Sequence, residues 1–246
     1  MKHFILRKLL PLLLVLLPTS ASADGCPTVE SGLTRARLAI NEFQSNGRAP
    51  AGADCAHELI SSHIVDQKIN ILQMIAFYKA ASDIQRRAAE KRGEEGDDKD
   101  ANRYLQQEIS IRRKFLNVIL KSASPSNDKE AVRRATVEHI SYLSSALAMQ
   151  SKYEQVASEL SNRDADVIDD VALSVWLQAV WSCAKWDGKK SDVCSQENRA
   201  VCRDKIEVFL EAVDEMKTRS LGRQTKRDID QLRRMQSQNG CFSRQE

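Results

Sequence analysis

The chain has 246 residues, 42% hydrophobic and 29% charged, and its formal charge of +3 is the charge of Lys2, Arg7 and Lys8. From Asp24 onward 34 basic residues face 34 acidic ones, so net charge gives no support to a polyanion-binding function. No second long apolar run follows the N-terminus, which excludes a transmembrane helix in the remainder.

The N-terminus reads as a secretory signal peptide. Lys2, Arg7 and Lys8 precede the apolar run Leu9–Leu17, and Ala21-Ser22-Ala23 is a small-residue cleavage site. Cleavage after Ala23 gives a 1–23 leader and a single exported domain, 24–246, with a possible subdivision near the charged stretch 92–100. A competing reading makes Cys26 a lipidated N-terminus. The chain has no Asn-x-Ser/Thr sequon, which fits a bacterial periplasmic protein, and the expected location is periplasmic or secreted.

The rest is expected to be all-α. Prolines after residue 23 are confined to Pro27, Pro50 and Pro125, and good helix formers are abundant. A first helix over 28–45 carries Val29, Leu33, Ala36, Ile40 and Phe43 at spacings 4, 3, 4, 3. GRAPAGADC reads as a loop, and a long second helix runs from Ala56 to about Arg92. KRGEEGDDKD reads as an exposed, Gly-interrupted loop. The third helix (101–121) shows Leu105, Ile109, Leu116 and Ile119 on its stripe; Asp128 is placed to cap the fourth, which shows Val132, Ile140, Leu143 and Leu147. A short helix around Tyr153–Leu160 leads to an almost uniformly apolar one, Val171–Trp186, expected to be the buried post of the domain. The next presents Cys202, Ile206, Phe209, Val213 and Met216, again at 4, 3, 4, 3. Thr225 and Asp228 suggest a capping box opening the last. The expected architecture is seven or eight antiparallel helices, arranged as stacked helical hairpins or a bundle and stapled by disulfides.

ALAMQSKYEQVASEL (Ala146–Leu160) resembles the turn of a tetratricopeptide unit, and Trp186 falls 33 residues after Tyr153, close to that family's period. The resemblance spans residues 132–205 and departs from the pattern by lacking the family's glycines and helix-ending proline. It implies stacking of helical hairpins and a protein-binding scaffold.

All six cysteines follow the leader, an even number in an oxidising compartment. Cys26 and Cys55 bracket the first helix and would pair if the GRAPAGAD segment runs back along it. Cys183–Cys202 with Cys194–Cys241 is one solution for the others; Cys183–Cys194 with Cys202–Cys241 is the alternative. The intervening lengths are ten, seven and 38 residues, which match no zinc-ribbon or haem-attachment spacing.

No catalytic motif appears, and no cofactor or metal is expected. HELISSH (His57–His63) falls short of H-E-x-x-H, because six residues turn a helix so that the two rings lie about 120° apart. Three functional readings follow. The leading one is a non-catalytic envelope scaffold or adaptor binding another envelope or secreted protein, not nucleic acid, with Trp186, Asp187, Lys189 and Lys190 as the contact site. The second is an enzyme or metal carrier using His57, Glu58 and His63. The third binds an anionic polymer through Arg86-Arg87, Arg112-Arg113, Arg133-Arg134 and Arg233-Arg234, residues otherwise expected on solvated helix faces.

Overall fold

A computed structural model describes residues 25–28, 32–62, 70–122, 128–183, 196–216 and 221–238. Among them lie nine α-helices and no strand: α1 (Gly32–Ser45), α2 (Ala49–Ser61), α3 (Ile71–Glu94), α4 (Asp98–Ser122), α5 (Lys129–Met149), α6 (Tyr153–Ser161), α7 (Asp170–Cys183), α8 (Gln196–Glu215) and α9 (Arg223–Gln238). A 3₁₀ turn, Ala165–Val167, precedes α7.

The extra helix comes from the segment expected to be a loop. GRAPAGADC mostly belongs to α2, which starts at Ala49 with Pro50 in its first turn. Proline suits that position, because the first helical N–H groups have no intrahelical acceptor. The long helix expected from Ala56 to Arg92 is therefore two helices. Asn70 opens the second, its side chain accepting a hydrogen bond from the Leu72 N–H at 2.8 Å. The charged stretch 92–100 shrinks to a turn over 95–97 between α3 and α4. Asp128 stands at the start of α5 but makes no side-chain cap bond, and α9 opens at Arg223, two residues before the expected box.

Three hairpin turns repeat one design. Gly47, Gly96 and Ser151 take φ of 68°, 77° and 56°. After each, the next N–H reaches back to the carbonyl of Phe43, Arg92 or Leu147 at 2.8, 2.8 and 2.9 Å. This is the Schellman closure of a helix C-terminus. It fixes α1–α2, α3–α4 and α5–α6 as antiparallel hairpins joined by three-residue turns, while longer segments connect one hairpin to the next.

Among the described residues, substantial contacts join only helices that are one or two apart in the chain. The odd helices α1, α3, α5, α7 and α9 touch in succession and form one layer; in the even layer α2 meets α4, and α6 meets α8. The fold is thus a stack of helical hairpins with one continuous core from Cys26 to Leu232. Trp176 is fully buried in α7, its ring edge-on to Phe209 of α8 at 5.3 Å; of the buried post expected over Val171–Trp186, Val171 is exposed and residues 184–186 lie outside those described. Cys26 and Cys55 are joined by a disulfide with Cα atoms 5.6 Å apart; the return path is α2 itself, not an extended loop. Cys202 is also disulfide-bonded, but the pairings Cys183–Cys202 and Cys194–Cys241 rest on side chains outside the described residues. No helix among the described residues is long and apolar enough to cross a membrane.

Candidate functional site

The outer face of α5 carries an open groove. Its inward residues Ala135, Thr136, His139, Ile140, Leu143 and Leu147 are buried. On the opposite side Arg133, Arg134, Val137, Glu138, Ser141, Tyr142 and Ser145 line a groove of about 600 Å³, walled by Asp169 and Val171 at the start of α7. At about 1.5 Å per residue, the lining from 133 to 145 runs for roughly 18 Å. Asp169 is held there because its carboxylate accepts the Ala172 N–H at 2.8 Å, closing the first turn of α7.

Beneath Tyr142 lies an ion cluster between α3, α4 and α5, buried at Glu108 and Arg112 and partly exposed at Lys79, Asp83 and Glu138. The Glu108 carboxylate is fully buried and accepts three hydrogen bonds: from Arg86 Nε at 2.6 Å, Arg86 Nη2 at 3.1 Å and Arg112 Nε at 2.8 Å. Arg112, 1% exposed, extends its Nη2 to within 3.5 Å of Asp83 Oδ1. Lys79 pairs with Glu138 and stands 3.9 Å from Asp83. Burial raises the Asp83 carboxyl above its ordinary value, against the pull of Lys79 and Arg112. Removing charges from water costs several kcal/mol per ion unless the geometry is good and the hydrogen bonds are filled. Glu108 meets that condition with three donors.

Tyr142 connects cluster and groove. Its ring is 43% exposed, yet the guanidinium carbons of Arg112 and Arg86 lie 4.7 and 5.9 Å from its centroid. Its carbonyl accepts from Arg86 Nη2 at 3.3 Å. The outward ring is thus held from below by two cations, a preorganised aromatic surface.

Most of the residues singled out in the sequence for the first two readings are not among those described. Trp186, Asp187, Lys189 and Lys190 lie outside the described residues, as does His63. His57 is half-buried and Glu58 exposed on α2. Among the described residues no group of three His, Cys, Asp or Glu side chains is placed to hold a metal ion. The Arg-Arg pairs are not uniformly solvated, as expected; Arg112 is buried and Arg86 nearly so. Carboxylates pair with four more of these arginines: Glu159 with Arg113, Glu130 with both Arg133 and Arg134, and Asp214 with Arg233. Three hydrogen bonds, two from Arg133 and one from Arg134, hold the Glu130 carboxyl down at about 2.

A signal for the cluster was present in the sequence. Residue 112 is the missing step in the stripe Leu105, Ile109, Leu116, Ile119, and a cation there must go inward and find an anion. Glu108, one turn earlier on α4, is that anion.

Fold and site together define a helical-hairpin stack with a rigid aromatic groove. The chain matches no protein-family model, no curated protein and no solved structure.

Proposed function

We propose that the protein is an exported, non-catalytic helical scaffold that binds another protein of the cell envelope along the α5 groove. One observation carries the choice of surface. Of the six large hydrophobic side chains exposed among the described residues, Leu38, Leu72, Tyr142, Met149 and Val171 all belong to the odd helices, and only Val208 to an even one. Scattered exposed apolar residues need no explanation, but a bias to one layer, together with a groove that holds an anchored tyrosine, is the pattern of a protein-binding face. The N-terminal leader and the cysteine usage support export, and the hairpin stack fits the scaffold reading drawn from the tetratricopeptide resemblance.

The test is site-specific photocrosslinking in the native host. A crosslinker at position 142 or 171 is expected to give one discrete adduct, weakened by Arg134→Glu, and a crosslinker at 208 none. Equal labelling from all three positions, or none from the groove, rejects the reading. Mass analysis of the envelope fraction should show a chain starting at Asp24; a retained leader overturns the export proposal.

A further inference from the structure

His139 is 1% exposed and stacks on Phe115, centroids 3.8 Å apart and planes 22° from parallel. Neither ring nitrogen has a hydrogen-bond partner, so the imidazole is buried as a neutral, unsatisfied group. It sits at the seam where α5 meets the α3–α4 hairpin. Of the charged groups at this seam, Arg112 of α4 and Lys79 of α3 act on the ring; they pair with Glu108 of α4, Asp83 of α3 and Glu138 of α5, and Glu108 also takes Arg86 of α3. Three cations thus stand against three carboxylates. The α7 acids are engaged at their own helix start, Asp169 with the Ala172 N–H and Asp170 with the Gly222 N–H.

We infer that His139 makes this seam an acid-responsive hinge: a proton on its ring adds an unmatched cation beside Arg112 and Lys79 and releases α5 from the α3–α4 hairpin. The links that would part are those already described across the seam, Lys79 to Glu138 and the two arginines beneath Tyr142. The inference holds whether or not the groove binds a partner.

The sign follows from the surroundings. Burial, then the charges of Arg112 and Lys79, hold the imidazole well below its ordinary value of 6.5. The closed seam is therefore at full strength above about pH 6.5, and the open form, which takes the proton, gains by up to about tenfold per pH unit below it. Asp83 acts in the opposite sense in a more acidic window. Its raised carboxyl takes a proton more readily in the closed form, which offsets part of the effect between 3.8 and its raised value.

Native-state hydrogen exchange on the whole chain tests this. Between pH 7.5 and 5.0, after correction for intrinsic chemical rates, amides of α5 from 135 to 146 should open about tenfold more, with α8 as the unchanged control. His139→Phe, which keeps the stack and removes the titration, should abolish the difference. A wild-type response absent from α5, or identical in the variant, overturns the hinge. If the variant does not fold, imidazole titration by NMR decides in the wild type. A His139 ring titrating below 6.5 in step with α5 exchange supports the hinge, and one titrating at or above 6.5, or out of step with that exchange, overturns it.

Discussion

Gly52 lies inside α2 where α1 and α3 press closest. A Cβ built there would stand 2.3 Å from Ile84 Cδ1 and 2.7 Å from Phe43 Cβ. The Ile84 methyl can swing away, but the Phe43 Cβ is tied to its backbone. Helix propensity alone would favour Gly52→Ala by about 1 kcal/mol; overpacking costs about 1–3 kcal/mol. The clash should win, so G52A is expected to lower the urea midpoint by the equivalent of about 1 kcal/mol, and a higher midpoint would contradict the packing described. Glu108 gives a ranking of costs. Glu108→Gln leaves Arg86 and Arg112 without their shared carboxylate and should cost about 3–5 kcal/mol. Arg112→Met still leaves Glu108 bonded to Arg86, so its cost should be clearly smaller. Equilibrium unfolding of the two variants checks the order, and the reverse order would mean that Glu108 is not the keystone of the cluster.

At the scale of elements the repeated turn is the informative feature. Gly47 and Gly96 take the left-handed conformation freely, whereas Ser151 does so with a side chain at φ 56°, at a cost of about 1–2 kcal/mol for an L-residue. Ser151→Gly is expected to raise stability by about 0.5–1 kcal/mol, since glycine relieves the strain but has more freedom to lose. Calorimetry showing a lower melting temperature would contradict the shared turn. The same elements show what the sequence can carry. The α8 stripe, Cys202 to Met216, is legible because its inward positions are apolar at regular helical spacing, which local periodicity reveals. α2 was hidden, because Gly47, Pro50 and Gly52 each carry a loop signal in isolation. Pro50 is instead a first-turn residue, and Gly52 answers to helices distant in sequence. Arg112 and His139 were missed for a related reason: each is a polar residue at an inward position, accounted for by a contact that apolar periodicity does not register, Glu108 one turn back on α4 for Arg112 and the Phe115 ring of α4 for His139. The contact site expected at Trp186, the outer end of the tryptophan-rich helix, lies outside the described residues. The Tyr142 surface, alone in its stretch of sequence, is assembled only when α3 and α4 bring two guanidiniums beneath it.

The whole molecule behaves, on this architecture, as a nearly one-dimensional object. Substantial contacts reach only one or two helices along the chain, so stability should be close to a sum of hairpin terms and interface terms between neighbours. Phe77 in α3 and Phe209 in α8 are both fully buried aromatics, and truncating either to alanine removes about 3–5 kcal/mol of packing. In a single cooperative core the two cavities would lower amide protection everywhere by the same amount. In a hairpin stack the losses should separate. Phe209→Ala is expected to weaken protection in α7, α8 and α9 and leave α1 to α4 almost unchanged, whereas Phe77→Ala should do the reverse. The α5 helix, which meets α3 and α4 on one side and α6 and α7 on the other, should feel both at reduced size. Native-state hydrogen exchange on the two variants reads this directly, and uniform loss in both would reject one-dimensional coupling. The outcome also bears on function. If α5 is where two half-independent stacks meet, a ligand in its groove or a proton on His139 acts at the joint between them, and a small local change there can alter the angle between the ends.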